Sequence, residues 1–291
     1  MKRTSRISGV TLVSYDYRFL LTTIPRYLPW VDELLVGVDR DRLTWSGETF
    51  AVPETFFDDL MRLDESPPKI RIVSRSFYSP TRSPMENDVA ERNALSLEVP
   101  EGNWIVSIDA DEYLLNPDQF FHYLRNCPAE ESACLEGRWI TVFKDLGDSM
   151  LVIAAKPDGS LERFPIATRQ RGSFVTSRRT NGPAVPSPAI ALHYSWGRQP
   201  EELLQKLLNW SHTRDFDVRK YFDFWRTVDE KNYSTFRDFH PIWPDTWSKL
   251  VRVSKQDLDS WESWKLYQEV RPGILQRAWR KALRHWHGRR T

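Results

Sequence analysis

Between residues 10 and 115 the chain alternates short apolar runs with stretches of helical spacing, and that alternation leaves few folds open. VTLVS at 10–14 is β-rich, FLLTTIPRYL at 19–28 has helical spacing interrupted by Pro25, and VDELLVGV at 31–38 returns to strand character. PETFFDDLMRLD at 53–64 reads as a helix with Pro53 in its first turn, and KIRIVS at 69–74 alternates as a strand does. Ser83-Pro84-Met85-Glu86 marks the next helix start: the serine caps, the proline suits the first position, and the glutamate three residues on closes a capping box. That helix runs to Pro100, and Glu101-Gly102 turns the chain into the strand NWIVSI. Strands and helices in this order predict a mostly parallel α/β sheet.

Past residue 116 the pattern changes. PDQFFHYLRNC reads as a helix, and ACLEGRWITVF, MLVIAAK and LERFPIA read as strands of an antiparallel extension, so the sheet becomes mixed. Residues 168–188 set Arg169, Arg171, Arg178 and Arg179 among glycines and prolines and predict a basic, irregular, mobile loop. AIALHYS is a further strand and RQPEELLQKLLNWSH, at 198–212, an amphipathic helix. The remainder is Trp-rich and expected to be mostly helical, and no internal repeat or low-complexity block interrupts the chain.

With 291 residues, 40% hydrophobic and 28% charged, and a net charge of +1, the chain is built for a folded core and not for disorder or wholesale nucleic-acid binding. Cys127 and Cys134 are too few for a disulfide framework or a Cys-rich zinc site; two free buried thiols and a reducing cytoplasm are expected. MKRTSRISGV is basic, but VTLV runs at once into SYDYR, so no signal-peptide apolar region is expected. No apolar run reaches the roughly 18 residues of a membrane span. The expected protein is cytoplasmic, soluble or peripherally attached to a membrane.

NWIVSIDADEYLL, residues 103–115, brings Asp109, Asp111 and Glu112 to the carboxyl end of a buried strand, where open α/β sheets bind ligands. Two residues apart, Asp109 and Asp111 face the same way if extended geometry persists. Carboxylate oxygens are hard ligands suited to Mg²⁺ or Mn²⁺, and such an ion can bridge the oxygens of a diphosphate. The competing reading is that the acids merely cap the next helix, whose own start lies nearer Asn116-Pro117.

The segment ERNALSLEVPEGNWIVSIDADEYLL resembles family 2-like glycosyltransferases of the GT-A fold, of the Asp-x-Asp type. In these an Arg-Asn helix, a Gly-containing turn, an apolar strand and an Asp-x-Asp(-Glu) motif follow in that order. VTLVSYDYR and VDELLVGVDRD look like the first two strands of that fold, and LHYSWGRQPEELLQKLLNWSH resembles its distal segment, so the resemblance covers residues 10–41, 84–115 and 190–213. It implies an α/β, GT-A-like (Rossmann-like) domain over residues 5–215, its mixed, mostly parallel sheet flanked by helices, and a helical C-terminal extension, Trp-rich and basic, over 216–291. It also implies metal-dependent transfer of a sugar from a nucleotide-diphosphate sugar, a UDP-sugar favoured, to a hydroxyl acceptor in cell-surface glycan or polysaccharide assembly.

Residue by residue, the resemblance puts Asp109, Asp111 and His193 on the metal, the nitrogen ligand favouring Mn²⁺ over Mg²⁺. It puts Tyr15 and Asp39, with Asp41 as the alternative, near the nucleoside, and Asp88, Arg92, Asn93, Lys206 and His212 along the donor. Each has a plainer reading: Asp39 opens a turn toward Arg40, Arg92 pairs with Asp88 four residues before it, and His193 is a satisfied core histidine. Asn93 falls on the stripe of Ala90, Ala94 and Leu97, expected to face the sheet, where its amide would hold the Asp-x-Asp loop. Arg169, Arg171, Arg178 and Arg179 are further phosphate candidates. For the catalytic acids and bases the candidates are Asp111, Glu112, Glu136 and Asp145, with Asp148 beside them. The Glu-Asp signature of many inverting members is absent after the metal strand, which leaves the base and the stereochemistry open.

The tail ILQRAWRKALRHWHGRRT has apolar residues at helical spacing with arginines between, a basic amphipathic helix. Such a helix suits an anionic membrane surface, and with the basic loop it also suits nucleic acid. The acceptor is accordingly a glycan, a lipid-linked sugar, or a modified DNA base as in phage-type DNA glycosyltransferases, although the near-neutral total charge counts against the last. A catalytically inactive sugar- or nucleic-acid-binding protein of the same fold is the rival from another class. A nucleotidyltransferase-like enzyme would need a Gly-rich loop after the first strand, and SYDYRFLL has none.

Overall fold

A computed structural model describes residues 5–64, 67–127, 133–154 and 160–255. Strands and helices alternate as expected: β1 (Ile7–Val13), α1 (Leu20–Tyr27), β2 (Glu33–Asp39), α2 (Glu54–Arg62), β3 (Ile70–Arg75), α3 (Pro84–Ser96) and β4 (Trp104–Ser107). β4, β1, β2 and β3 lie side by side, all parallel. Parallel strands are covered on both faces, which is why β1 is buried at every position. α3 begins with the capping box read from the sequence, Ser83 and Glu86 exchanging hydrogen bonds. Gly102 takes φ +82° in the turn before β4, a conformation natural to glycine.

Beyond β4 the chain forms β5 (Glu112–Leu114), α4 (Pro117–Arg125), β6 (Cys134–Asp145), β7 (Ser149–Ile153), β8 (Glu162–Thr168), β9 (Phe174–Thr176), β10 (Arg179–Thr180) and β11 (Ala184–His193). β8 pairs antiparallel with β4 and with β6, and β7 extends the sheet antiparallel to β6. β11 lies parallel to β6 and antiparallel to β5. The sheet is therefore mixed around a parallel half, flanked by helices. Cys127 and Cys134 are both buried and unbridged.

The expectation of an irregular loop at 168–188 gives way to a short β9–β10 hairpin and the first residues of β11. Asn93 supplies the reason: its side-chain amide donates to Phe174 O at 3.0 Å and its Oδ1 accepts from Phe174 N at 2.8 Å. The asparagine pins this hairpin and not the Asp-x-Asp turn. α3 also turns a different face inward from the one expected. Asn87, Asp88, Glu91, Arg92 and Leu95 are buried while Leu97 is 55% exposed.

α5 (Pro200–Asn209), α6 (Val218–Thr227) and β12 (Leu250–Ser254) complete the described chain. β12 pairs antiparallel with β7, so the stretch after residue 215 adds a strand to the edge of the sheet. Trp196, Trp225 and Trp247 join Phe143, Leu203 and Leu250 in a second core beneath it. The basic tail helix expected near the C-terminus lies outside the described residues. Among the described residues no helix is long and apolar enough to cross a membrane.

Candidate active site

A cavity of about 450 Å³ opens beyond the carboxyl ends of β1, β2 and β4, walled by α3, α5, the β9–β10 hairpin and the segment 240–247. Asp109 and Asp111 both line it. They do not share an extended geometry, because the strand ends at Ser107 and Glu112 N donates to Asp109 O at 3.0 Å, closing a turn. The two carboxylates therefore serve two different ion networks.

In the first network Arg92 donates to both Asp109 oxygens, at 2.9 and 3.2 Å, and its Nε to Asp88. The intrahelical Asp88–Arg92 pair and the role toward Asp109 thus coexist. Arg178, 3% exposed in its side chain, donates to both Glu112 oxygens at 2.6 and 2.7 Å and stands 3.7 Å from Asp109. Trp139 Nε1 donates to Glu112 Oε1 at 2.8 Å, and Glu112 Oε2 accepts from Asp109 N. Every lone-pair direction of Glu112 is occupied, and it is absent from the cavity lining, so it positions Arg178 and the turn. Burial raises the Asp109 carboxyl, but Arg178 and Arg92 overcome it and hold it below the usual range.

In the second network Asp111 Oδ2 accepts from Arg198 at 2.5 Å and from Lys206 at 2.7 Å, and Arg198 also reaches Asp16 at 3.0 Å. Lys206 donates to Ser195 Oγ at 3.0 Å. Against its burial, Lys206 and Arg198 hold the Asp111 carboxyl well below its ordinary value. Asp111 Oδ1 stands 3.6 Å from His193 Nε2, too far for a hydrogen bond. Burial pushes His193 down to about 3, so its imidazole is neutral, and its buried Nδ1 has no hydrogen-bond partner. Tyr15 lines the cavity with its hydroxyl pushed well up by burial and by Asp16.

A divalent ion can be tested against this donor set. Each oxygen of Asp109 accepts one hydrogen bond from Arg92, whereas Asp111 Oδ1 and His193 Nε2 face each other with no hydrogen bond between them. A carboxylate oxygen beside a neutral imidazole suits Mn²⁺. Among the described residues no group of three ligating side chains gathers. The pair fits an ion that takes its other ligands from diphosphate oxygens and water, as small hard cations do.

The remaining sequence candidates divide. Asp39 lines the cavity, but its oxygens accept from four backbone N–H groups, those of Asp41, Leu43, Phe77 and Tyr78. It shapes the loop after β2. Asp41 turns to Ser76 outside the cavity. His212 lines the cavity, its Nδ1 2.6 Å from Asp215. Glu136 binds Arg179 and Arg163, and Asp145 binds Lys255; neither carboxylate lines the cavity. Of the loop arginines, Arg178 and Arg179 line the cavity, whereas Arg169 lies over the Trp104 ring and Arg171 donates to Leu97 O. Sequence reasoning missed Arg198, a lone arginine in the turn before α5, and Glu162, the first residue of β8. Glu162 lines the cavity and accepts from Thr141 Oγ1 at 3.3 Å and Trp247 Nε1 at 3.4 Å. Neither sits on a periodic pattern that would have singled it out.

These features define a charged cleft at the strand ends of a mixed α/β sheet. No family model matches the chain, and no curated protein matches it. Among solved structures, glucosyl-3-phosphoglycerate synthase from Mycobacterium tuberculosis, determined with Mn²⁺, uridine diphosphate and glucosyl-3-phosphoglycerate, is 19% identical over 47% of this chain, with a TM-score of 0.29. The chain spans 44% of that synthase. A 4-diphosphocytidyl-2C-methyl-D-erythritol synthase is 12% identical, covering 80% of this chain and 94% of its own, with a TM-score of 0.29. Mannose-1-phosphate geranyltransferase from Thermus thermophilus is 12% identical over 77% of this chain and 65% of its own, again at 0.29. Likeness at this level says nothing about activity.

Proposed function

We propose that the chain is a glycosyltransferase that takes a sugar from a nucleotide-diphosphate sugar, a UDP-sugar favoured, to a hydroxyl acceptor. The observation that carries the reading is the Asp111–His193 pair, 3.6 Å apart, set beside Arg198 and Lys206 in the cavity at the strand ends. A divalent ion held by Asp111 and His193 would neutralise charge on the departing diphosphate. Lys206, Arg92 and Arg178 line the same cavity, each already paired with a carboxylate, so the ion would supply the net positive charge that favours the transition state over the ground state. The cavity carboxylate outside both ion networks is Glu162, whose Oε2 is oriented by Thr141 and Trp247. Glu162 takes the acceptor hydroxyl's proton as that oxygen bonds to the anomeric carbon. The bond from that carbon to the diphosphate breaks, and the diphosphate leaves with its electron pair.

The test is thermal shift and slow donor hydrolysis with UDP-, GDP- and dTDP-sugars, in Mn²⁺ or EDTA, on wild type and His193→Gln. This variant leaves the Asp111–Arg198–Lys206 contacts in place. The expected result is one donor that raises the melting temperature of the wild type only with metal, and an effect lost in the variant. No metal-dependent response to any donor would overturn the reading.

A further inference from the structure

We propose that the segment His240–Trp247, together with Glu162, forms a saccharide subsite whose floor is the indole of Trp243; that it receives the acceptor rests on the transferase reading, whereas saccharide binding does not. Trp243 is 57% exposed although it lines the cavity. Its backbone is fixed by a short turn, Pro244–Thr246, in which Thr246 N donates to Trp243 O at 2.9 Å and Trp247 N to Pro244 O at 3.2 Å. Its ring is flanked by His240, 5.4 Å away and nearly parallel, and by the edge of His212 at 6.2 Å. A large aromatic face held rigid and left open is a stacking surface, since it loses little freedom when a ligand arrives. The C–H face of a pyranose meets the negative face of an indole favourably for the same quadrupole reason.

The polar groups around this floor match sugar hydroxyls. His240 is 7% exposed, and its Nδ1 accepts from the backbone N–H groups of Ile242 and Trp243, at 3.1 and 2.9 Å. An imidazole held this way carries its proton on Nε2, and burial keeps it neutral by pushing its pKa down to about 4. The ring is braced by Trp247, 4.4 Å away. Trp247 in turn donates to Glu162 Oε2 at 3.4 Å, tying the carboxylate to the same wall. A neutral N–H donor beside the indole and a carboxylate acceptor held by Trp247 in the same cavity suit an uncharged, hydroxyl-rich ring. They do not suit a nucleic-acid strand, whose phosphates would meet Glu162. The nearby guanidinium groups of Arg163 and Arg179 are directed to Glu136, 3.6 and 3.0 Å away.

The experiment titrates wild type, Trp243→Ala and Trp243→Phe with methyl glycosides of common hexoses and N-acetylhexosamines, and with a single-stranded oligonucleotide, reading tryptophan fluorescence and calorimetry. In parallel, the shift produced by nucleotide sugar with Mn²⁺ is measured on all three proteins. At least one glycoside should bind the wild type, bind tenfold or more weakly to Trp243→Ala, and regain most of its affinity in Trp243→Phe, with the donor shift equal in all three. Glycosides that bind while no nucleotide sugar does would leave the subsite standing and remove the transferase reading. The subsite is overturned if no glycoside binds, if Trp243→Ala binds as well as wild type, or if only the oligonucleotide shows Trp243-dependent binding.

Discussion

Glu91 carries a pH dependence that can be worked out from its surroundings. It lies on α3, 7% exposed, with Oε2 accepting from Trp45 Nε1 at 2.6 Å. Burial is the largest influence on its carboxyl and, against the pull of Trp45 and Arg92, raises it from 4.5 to about 7. Between those values the folded protein holds a proton that the unfolded chain has released, so stability falls as pH rises through the window. Below it both states are protonated and the cost vanishes. A displacement from 4.5 to about 7 corresponds to a cost of about 3 kcal/mol once the pH is well above 7. Glu91→Gln keeps an oxygen for the Trp45 indole and removes the ionisable group. The variant should therefore be more stable than wild type at pH 8.5, by about 3 kcal/mol or roughly 6–12 °C in melting temperature, and within about 1 kcal/mol of it at pH 4.5. Urea unfolding and thermal melts of both proteins across this range measure the difference. Parallel stability profiles would refute the reasoning, since they would mean that Glu91 has the same pKa folded and unfolded.

Two other substitutions probe packing and charge. Arg178→Met strands Glu112, 1% exposed in its side chain, without its bidentate partner, and should cost about 3–5 kcal/mol in urea unfolding; Arg178→Met with Glu112→Gln should recover much of that, and a single-variant cost below about 1 kcal/mol would contradict the buried pair. A Cβ on Gly37 would lie 2.3 Å from Leu95 Cδ1, so Gly37→Ala should cost about 1–3 kcal/mol. Combined with Leu95→Ala the two losses should fall short of additivity by at least about 1 kcal/mol, as a double-mutant cycle would show.

The parallel half of the sheet was legible because β1, β2 and β4 are nearly continuous apolar runs separated by helical spacing, and because Ser83 and Glu86 form a local signal that needs no tertiary information. The placement of Asp109 and Asp111 at the cavity was legible for the same reason: they follow on β4. The wiring was not. Arg198 and Lys206 reach Asp111 from 87 and 95 residues away, and Arg178 reaches Glu112 from 66. Contacts at such separations leave no period in the chain. The inward face of α3 misled in a specific way: hydrophobic spacing favoured Ala90, Ala94 and Leu97, whereas the helix buries Asp88, Glu91 and Arg92 against the cavity. Helix faces that build a site break the apolar stripe, because the site needs charges where a core would need carbon. Asp39 shows the converse, an acid after a strand that looked like a ligand group and is consumed by four backbone amides.

On the proposed transferase reading, the balance of charge around Asp111 bears on how a donor would enter. Arg92, Arg178, Arg198 and Lys206 are paired with Asp16, Asp88, Asp109, Asp111 and Glu112, so the ion networks carry one more negative charge than positive. A diphosphate arriving alone would compete with buried carboxylates for cations those carboxylates already hold, in surroundings of low dielectric where the repulsion is strong. A divalent cation entering with it reverses the local sign. Donor affinity should thus fall sharply in EDTA, and a substitution that removes one negative charge without stranding a cation should lessen that dependence. Asp16→Asn does this, because Arg198 keeps its contact with Asp111 at 2.5 Å. The ratio of donor dissociation constants in EDTA and in Mn²⁺ should be smaller for Asp16→Asn than for wild type, by about tenfold if the freed charge acts at the strength of a close pair near 1.4 kcal/mol. Calorimetric titration of both proteins under both conditions measures it. An unchanged ratio would mean that Asp16 carries no charge in the folded protein or that the diphosphate does not approach the Asp111 network.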